Sequence, residues 1–260
     1  NDVNAGLTIS DTVTGGAGND TLAIDGHGVK VTLSASEWTN VSGFETLRLI
    51  GNGVAADNTS TGVGTYAGNS YNLTLTNDFI NANSTEVGGN RILAIVNDND
   101  GTNDGATVAF AGLASVGGAV GGVNIDARTL GATRSFSYNG EEGVSRTADR
   151  FIMADANING VAQIDGGFHS FNTVTANADV LEVRNAAVVT IGDLTGLRNI
   201  GTLEFTNDTA VTQNSVLVLN NDVIDALVNS THTAKAGELE QLTVRVVDGA
   251  IATAVTGVNI

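Results

Sequence analysis

The chain has 260 residues, 42% of them hydrophobic, and a formal net charge of −17. That much apolar sequence excludes wholesale disorder and fits one large β domain or two modest ones. The acidic balance excludes a nucleic-acid partner, which needs a basic footprint, and no apolar run is long enough to span a bilayer.

Asn1 begins no signal-peptide pattern and there is no initiating Met, which reads as a fragment of something longer. The first predicted element is a turn. Gly15-Gly16-Ala17-Gly18-Asn19-Asp20-Thr21-Leu22-Ala23 fits G-G-x-G-x-D-x-U-x at every fixed position. Its glycines reach backbone conformations closed to other residues and can aim carbonyl oxygens inward, Asp20 adds a carboxylate, and Leu22 points into the core. Val29–Leu33 alternates as a strand, and Ser34-Ala35-Ser36-Glu37 reads as a capping box before Trp38, a core anchor. Strands follow at Leu47–Leu49 and Asn72–Leu75. Asn77 is expected to cap a short helix carrying Phe79 and Ile80. Ile92–Asp98 leads into Asn97–Gly105, a solvated turn that lacks the closing Glu of an EF-hand loop. Thr107–Phe110, Leu181–Val183 and Leu242–Val246 complete the strands, and Asn221 is expected to cap a helix over Asp222–Val228. Cysteine and proline are absent throughout, so no disulfide braces these elements and no residue is barred from a backbone ladder.

The blocks recur in order. Asn19–Ile24 and Val41–Leu49 match Ala178–Val183 and Arg198–Phe205. Leu73–Ala82 matches Leu217–Ala226, Ile92–Asp98 matches Leu242–Asp248, and Val120–Ile125 matches Val255–Ile260. Two copies of one plan are expected, over residues 1–145 and 146–260, cut from a longer tandem array. Short strands with apolar residues on one parity, Gly/Asn/Asp turns and few aromatics predict a mainly β fold. The expected form is an irregular right-handed parallel β-solenoid, β-roll-like, with a few short helices.

Calcium is the expected cofactor, since a hard cation takes about six to eight oxygen ligands and the acidic turns supply them. Gly16, Gly18, Asn19 and Asp20 form the primary candidate site, with Asp11 and Asp25 on flanking turns. Asp165 and Asp179 mark a second site, where the glycine signature decays to Asp165-Gly166-Gly167-Phe168-His169. Asp126 and Asp149 recur at strand starts. Glu141-Glu142 reads as solvated. His27, His169 and His232 lie far apart, and no catalytic motif accompanies them.

The Gly15–Ala23 nonapeptide resembles the RTX (repeats-in-toxin) family of secreted bacterial proteins. Val41-Ser42-Gly43-Phe44-Glu45-Thr46-Leu47 resembles a phrase of large RTX-type surface proteins, including S-layer proteins and adhesins. The resemblance implies type I secretion, folding on calcium outside the cell, backbone ligands from Gly16, Gly18 and Asn19, and a side-chain ligand from Asp20. A structural segment of the bacterial cell surface, self-associating into an array, is the expected function, with no enzymatic activity. An adhesin module binding cell-surface polysaccharide is the alternative, followed by a β-helix enzyme acting on polysaccharide.

Overall fold

The computed structural model describes residues 6–25, 30–50, 70–87, 90–98, 105–110, 122–128, 136–140, 148–158, 163–167, 179–186, 188–207, 216–229 and 242–248. The chain is mainly β. It begins with β1 (Val13–Thr14), β2 (Thr21–Asp25), β3 (Lys30–Leu33), β4 (Val41–Ser42), β5 (Thr46–Ile50), β6 (Ser70–Leu75), α1 (Asn77–Asn83), β7 (Thr85–Val87), β8 (Asn90–Asp98), β9 (Gly105–Phe110) and β10 (Gly122–Asp126). It continues with β11 (Phe136–Asn139), β12 (Arg150–Ala154), β13 (Gln163–Asp165), β14 (Val180–Arg184), β15 (Val188–Val189), β16 (Leu197–Arg198), β17 (Thr202–Asn207), β18 (Val216–Leu217), α2 (Asn221–Asn229) and β19 (Thr243–Asp248).

Two parallel sheets organise these strands. The larger runs β2-β5-β8-β10-β12-β14-β17-β19, with β7 added antiparallel on β8; the smaller runs β3-β6-β9-β11-β13-β16. Parallel neighbours cannot be joined by a tight hairpin and need a crossover. Here the crossover is a strand of the other sheet: from β8 the chain visits β9 before returning as β10, and from β10 it visits β11 before returning as β12. Each strand of the larger sheet is thus one rung of a stack.

Period-two alternation sets which side chains enter the core. Leu47, Ile125, Phe151, Leu181 and Leu203 lie in one register row and are buried; Leu49, Met153, Val183 and Phe205 lie in the next and are buried too. Each such side chain contributes about 1.5–3 kcal/mol relative to exposure. The terminal rungs differ. Leu22 and Ile24 on β2, and Val244 and Val246 on β19, pack against the core but are only partly buried.

The pairing pattern recurs along the chain. β13 pairs β16 as β1 pairs β4, β15 pairs β18 as β3 pairs β6, and β14-β17-β19 repeats β2-β5-β8. Gly43, with φ 76°, follows β4 and bonds to α1, its N–H donating to the Ala82 carbonyl. Asn199, with φ 54°, ends β16 and donates to the Ala226 carbonyl of α2. Asn is the residue that tolerates the left-handed region best after Gly.

Trp38 is 1% exposed and lies against Phe79, ring centroids 4.5 Å apart, so it anchors the core as expected. The Ser34 N–H and hydroxyl both donate to the Glu37 carboxylate, at 2.5 and 2.7 Å. Both helix caps sit one residue earlier than the sequence suggested. Thr76, not Asn77, caps α1 by accepting from the Phe79 N–H at 3.1 Å. Asn220, not Asn221, meets the Val223 N–H at 2.9 Å. A cap oxygen reaches the N–H three residues on, and Phe79 and Val223 hold those positions because each must enter the core.

Candidate metal centre and the buried acid column

One inward-facing register position lies at or just before the start of most rungs. Register aligns Asp20, Glu45, Val123, Asp149, Asp179, Gly201 and Leu242 at it. The carboxylates there follow one rule. Glu45 Oε2 accepts from the Asp20 N–H at 2.9 Å, Asp149 Oδ1 from the Val123 N–H at 2.9 Å, and Asp179 Oδ1 from the Asp149 N–H at 2.6 Å. Each acid therefore takes the backbone N–H of the rung before it. Asp149 and Asp179 are 1% and 0% exposed, and their burial is tolerable because they are hydrogen-bonded. The second oxygen of Asp149 accepts from the Tyr138 hydroxyl at 2.7 Å.

Corner glycines make room for these acids. A Cβ on Gly166 would stand 2.1 Å from Asp179 Oδ2, and one on Gly15 would stand 2.8 Å from the Asp20 Cβ and 2.1 Å from the Gly43 carbonyl oxygen. Asp20 thus repeats the placement of Asp179, but its surroundings differ. Its Oδ2 is buried and meets no hydrogen-bond partner, facing a turn in which Gly16 and Gly18 hold φ of 105° and 134°. A Cβ added on Gly18 would stand 4.0 Å from that oxygen.

The remaining expected ligands are spread among other tasks. Asn19 and Asp25 are exposed. Asp11 closes its own turn, accepting from the Thr8 N–H and hydroxyl at 2.7 and 2.8 Å, and these bonds hold its carboxyl below the usual range. Thr190 and Asp193 repeat that turn, with both distances 2.7 Å. Asp126 pairs with the Arg128 guanidinium at 2.6 Å. Asp165 accepts from the Gly167 N–H at 3.0 Å and from Asn199 Nδ2 at 2.6 Å, pinning the left-handed corner. Of the expected ligands, Asp149 and Asp179, assigned to different sites by the sequence, stand next to each other, in one column rather than around one point. Among the described residues no group of three or more His, Cys, Asp or Glu side chains converges. The Asn97–Gly105 loop and Glu141-Glu142 lie largely or wholly outside the described residues, as do the three histidines.

A second acidic feature was missed in the sequence. Glu182 and Glu204 sit on the non-core parity of β14 and β17 yet are 1% and 4% exposed. Arg150 bridges them, 2.7 Å from Glu182 and in contact with Glu204; Arg184 stands 2.5 Å from Glu182, and Arg245 2.5 Å from Glu204. Burial by itself pushes the Glu182 carboxyl up, but the hydrogen bonds and charges of Arg184 and Arg150 outweigh it and hold the group below its ordinary range. A depressed folded-state pKa contributes stability that is present above the unfolded value, about 4.3, and is lost as pH falls through the folded one. Melting temperature is therefore expected to drop below about pH 4.3, and the drop to shrink in Glu182→Gln, measured by calorimetry from neutral pH downward. An equal acid dependence in both proteins rules the cluster out as its source.

No protein family, curated protein or solved structure matches the chain. Among the described residues no helix is long and apolar enough to cross a membrane.

Proposed function

We propose that the chain is a calcium-stabilised structural segment of a secreted bacterial cell-surface protein. In this reading it is an irregular right-handed parallel β-solenoid of two diverged copies, 1–145 and 146–260, that self-associates rather than catalyses. The observation that carries it is Asp20 Oδ2, a buried carboxylate oxygen without a partner at the Gly15–Gly18 turn. An unpaired buried acceptor costs about 1–3 kcal/mol, more when charged. Asp149 avoids that cost through Tyr138, whereas Asp20 has no described hydroxyl or N–H on its second oxygen. A hard cation satisfies such an oxygen, and a turn with left-handed glycines is the kind of backbone that directs carbonyls to a cation. The resemblance of this turn to the RTX nonapeptide supports the same ion and the same extracellular setting. The parallel stack, with both terminal rungs only partly buried, supports end-to-end association.

Calcium binding only the folded chain stabilises it by mass action, about 2.7 kcal/mol at a hundredfold excess over the dissociation constant. That corresponds to a rise in melting temperature of roughly 5–10 °C for a domain of this size. The expected result is such a rise with calcium, little with magnesium, and none in Asp20→Ala. An unchanged melting temperature at millimolar calcium overturns the metal reading.

A further inference from the structure

Asp179 and Asp20 occupy the same place in the two copies, and the chain itself displays what belongs beside the first of them. β12 lies on the outer side of β14. It donates the Asp149 N–H to Asp179 Oδ1, receives the Val180 N–H on the Asp149 carbonyl, and lays Phe151 and Met153 over Leu181 and Val183. With that rung in place Leu181 and Val183 are 0% and 1% exposed. On β2 the corresponding Leu22 and Ile24 remain partly buried, and among the described residues no strand pairs with the outer edge of β2. The first oxygen of the Asp20 carboxylate accepts no N–H from a described residue, although every other acid of the column takes one from the rung before it.

We infer that the outer edge of β2 is a docking edge for one further parallel rung, supplied by β19 of a second copy of this chain. The partner is chosen by register. β19 is the terminal described strand at the far end, and its Val244 and Val246 are partly buried in the same two core rows as Leu22 and Ile24. Seated on β2, that end continues both rows and brings a backbone N–H to Asp20, leaving the buried Oδ2 to the turn. The contact is heterologous and does not close on itself, so copies add head to tail into open chains. This deepens the self-association proposed above but does not rest on the calcium assignment.

The test separates the two. By the pattern of Val180 and Thr46, the N–H groups of Thr21 and Ala23 point away from β5 toward the open edge. Ala23→Pro therefore removes an outward donor and spares the β2–β5 ladder. Sedimentation velocity of the full chain, with calcium and with chelator, is expected to show concentration-dependent association weakened about tenfold or more in Ala23→Pro. The melting temperature of the dilute variant should be unchanged. A synthetic peptide spanning residues 148–154, the strand the chain seats on its own equivalent edge, is expected to bind and to suppress association of the unmodified protein. Wild type sedimenting as a monomer at all concentrations under both conditions overturns the inference. So does association that neither Ala23→Pro nor the peptide reduces. Loss of calcium stabilisation with association retained overturns only the metal reading.

Discussion

Gly166→Ala is expected to lower the melting temperature by about 10 °C, the equivalent of about 3 kcal/mol for a domain of this size. The added methyl would stand 2.1 Å from Asp179 Oδ2 and 2.5 Å from the Asn199 carbonyl oxygen. Neither neighbour can retreat freely. Asp179 is held by the Asp149 N–H, and Asn199 sits in a left-handed corner pinned by Asp165. Relief must come from backbone shifts, the costly form of overpacking. Gly192→Ala is the control. Its added carbon meets nothing closer than Thr190 Oγ1 at 3.6 Å, and the backbone there is not left-handed. That variant should be neutral or stabilised by about 0.5 kcal/mol through the unfolded chain. Equal melting temperatures for the two variants would show that the corner is not tightly packed.

Asp179→Ala should cost about 2–4 kcal/mol in urea unfolding, because it strands the Asp149 N–H in a dry core and empties the space beside Gly166. Asp179→Asn keeps an oxygen for that N–H and should recover at least half of the loss. If the two substitutions are equivalent, the carboxylate's charge rather than its hydrogen bond carries the stability. The two sites touch, so their effects should not add. Gly166→Ala placed on Asp179→Ala loses its nearest clash and retains the contact with Asn199.

Much of the architecture was legible because a strand announces itself locally. Leu47-Arg48-Leu49 and Leu181-Glu182-Val183 alternate, and period two leaves no choice of face once one residue is known to be inside. The strands β2-β5-β8 and β14-β17-β19 pair in the order of the sequence blocks that contain them. What a single chain does not carry is which residue lies above which. In a parallel stack that depends on the length of each crossover, and the links here vary widely. The sequence offers Asp149 and Asp179 as ligands of an ion, and it carries no sign that each also accepts a backbone N–H from one rung away. The cap at Thr76 was overshadowed by the neighbouring Asn77, a better cap in isolation, because position relative to Phe79 decides the matter. Glu182 and Glu204 did carry a signal: each lies between core residues on its strand, and Arg184 follows Glu182 by two. Recognising it required knowing that β12 and β19 bring Arg150 and Arg245 alongside.

The placement of β2 and β19 at opposite ends of one ladder also sets how the molecule bears load. A pull that separates the two ends along the stack cannot share tension among all the interstrand bonds, because successive rungs are linked in series. It peels the outermost rung first and then exposes the next, each held by its neighbour alone. Stretched in this direction the chain should lengthen in a train of small steps, one per rung, and not in a single rupture.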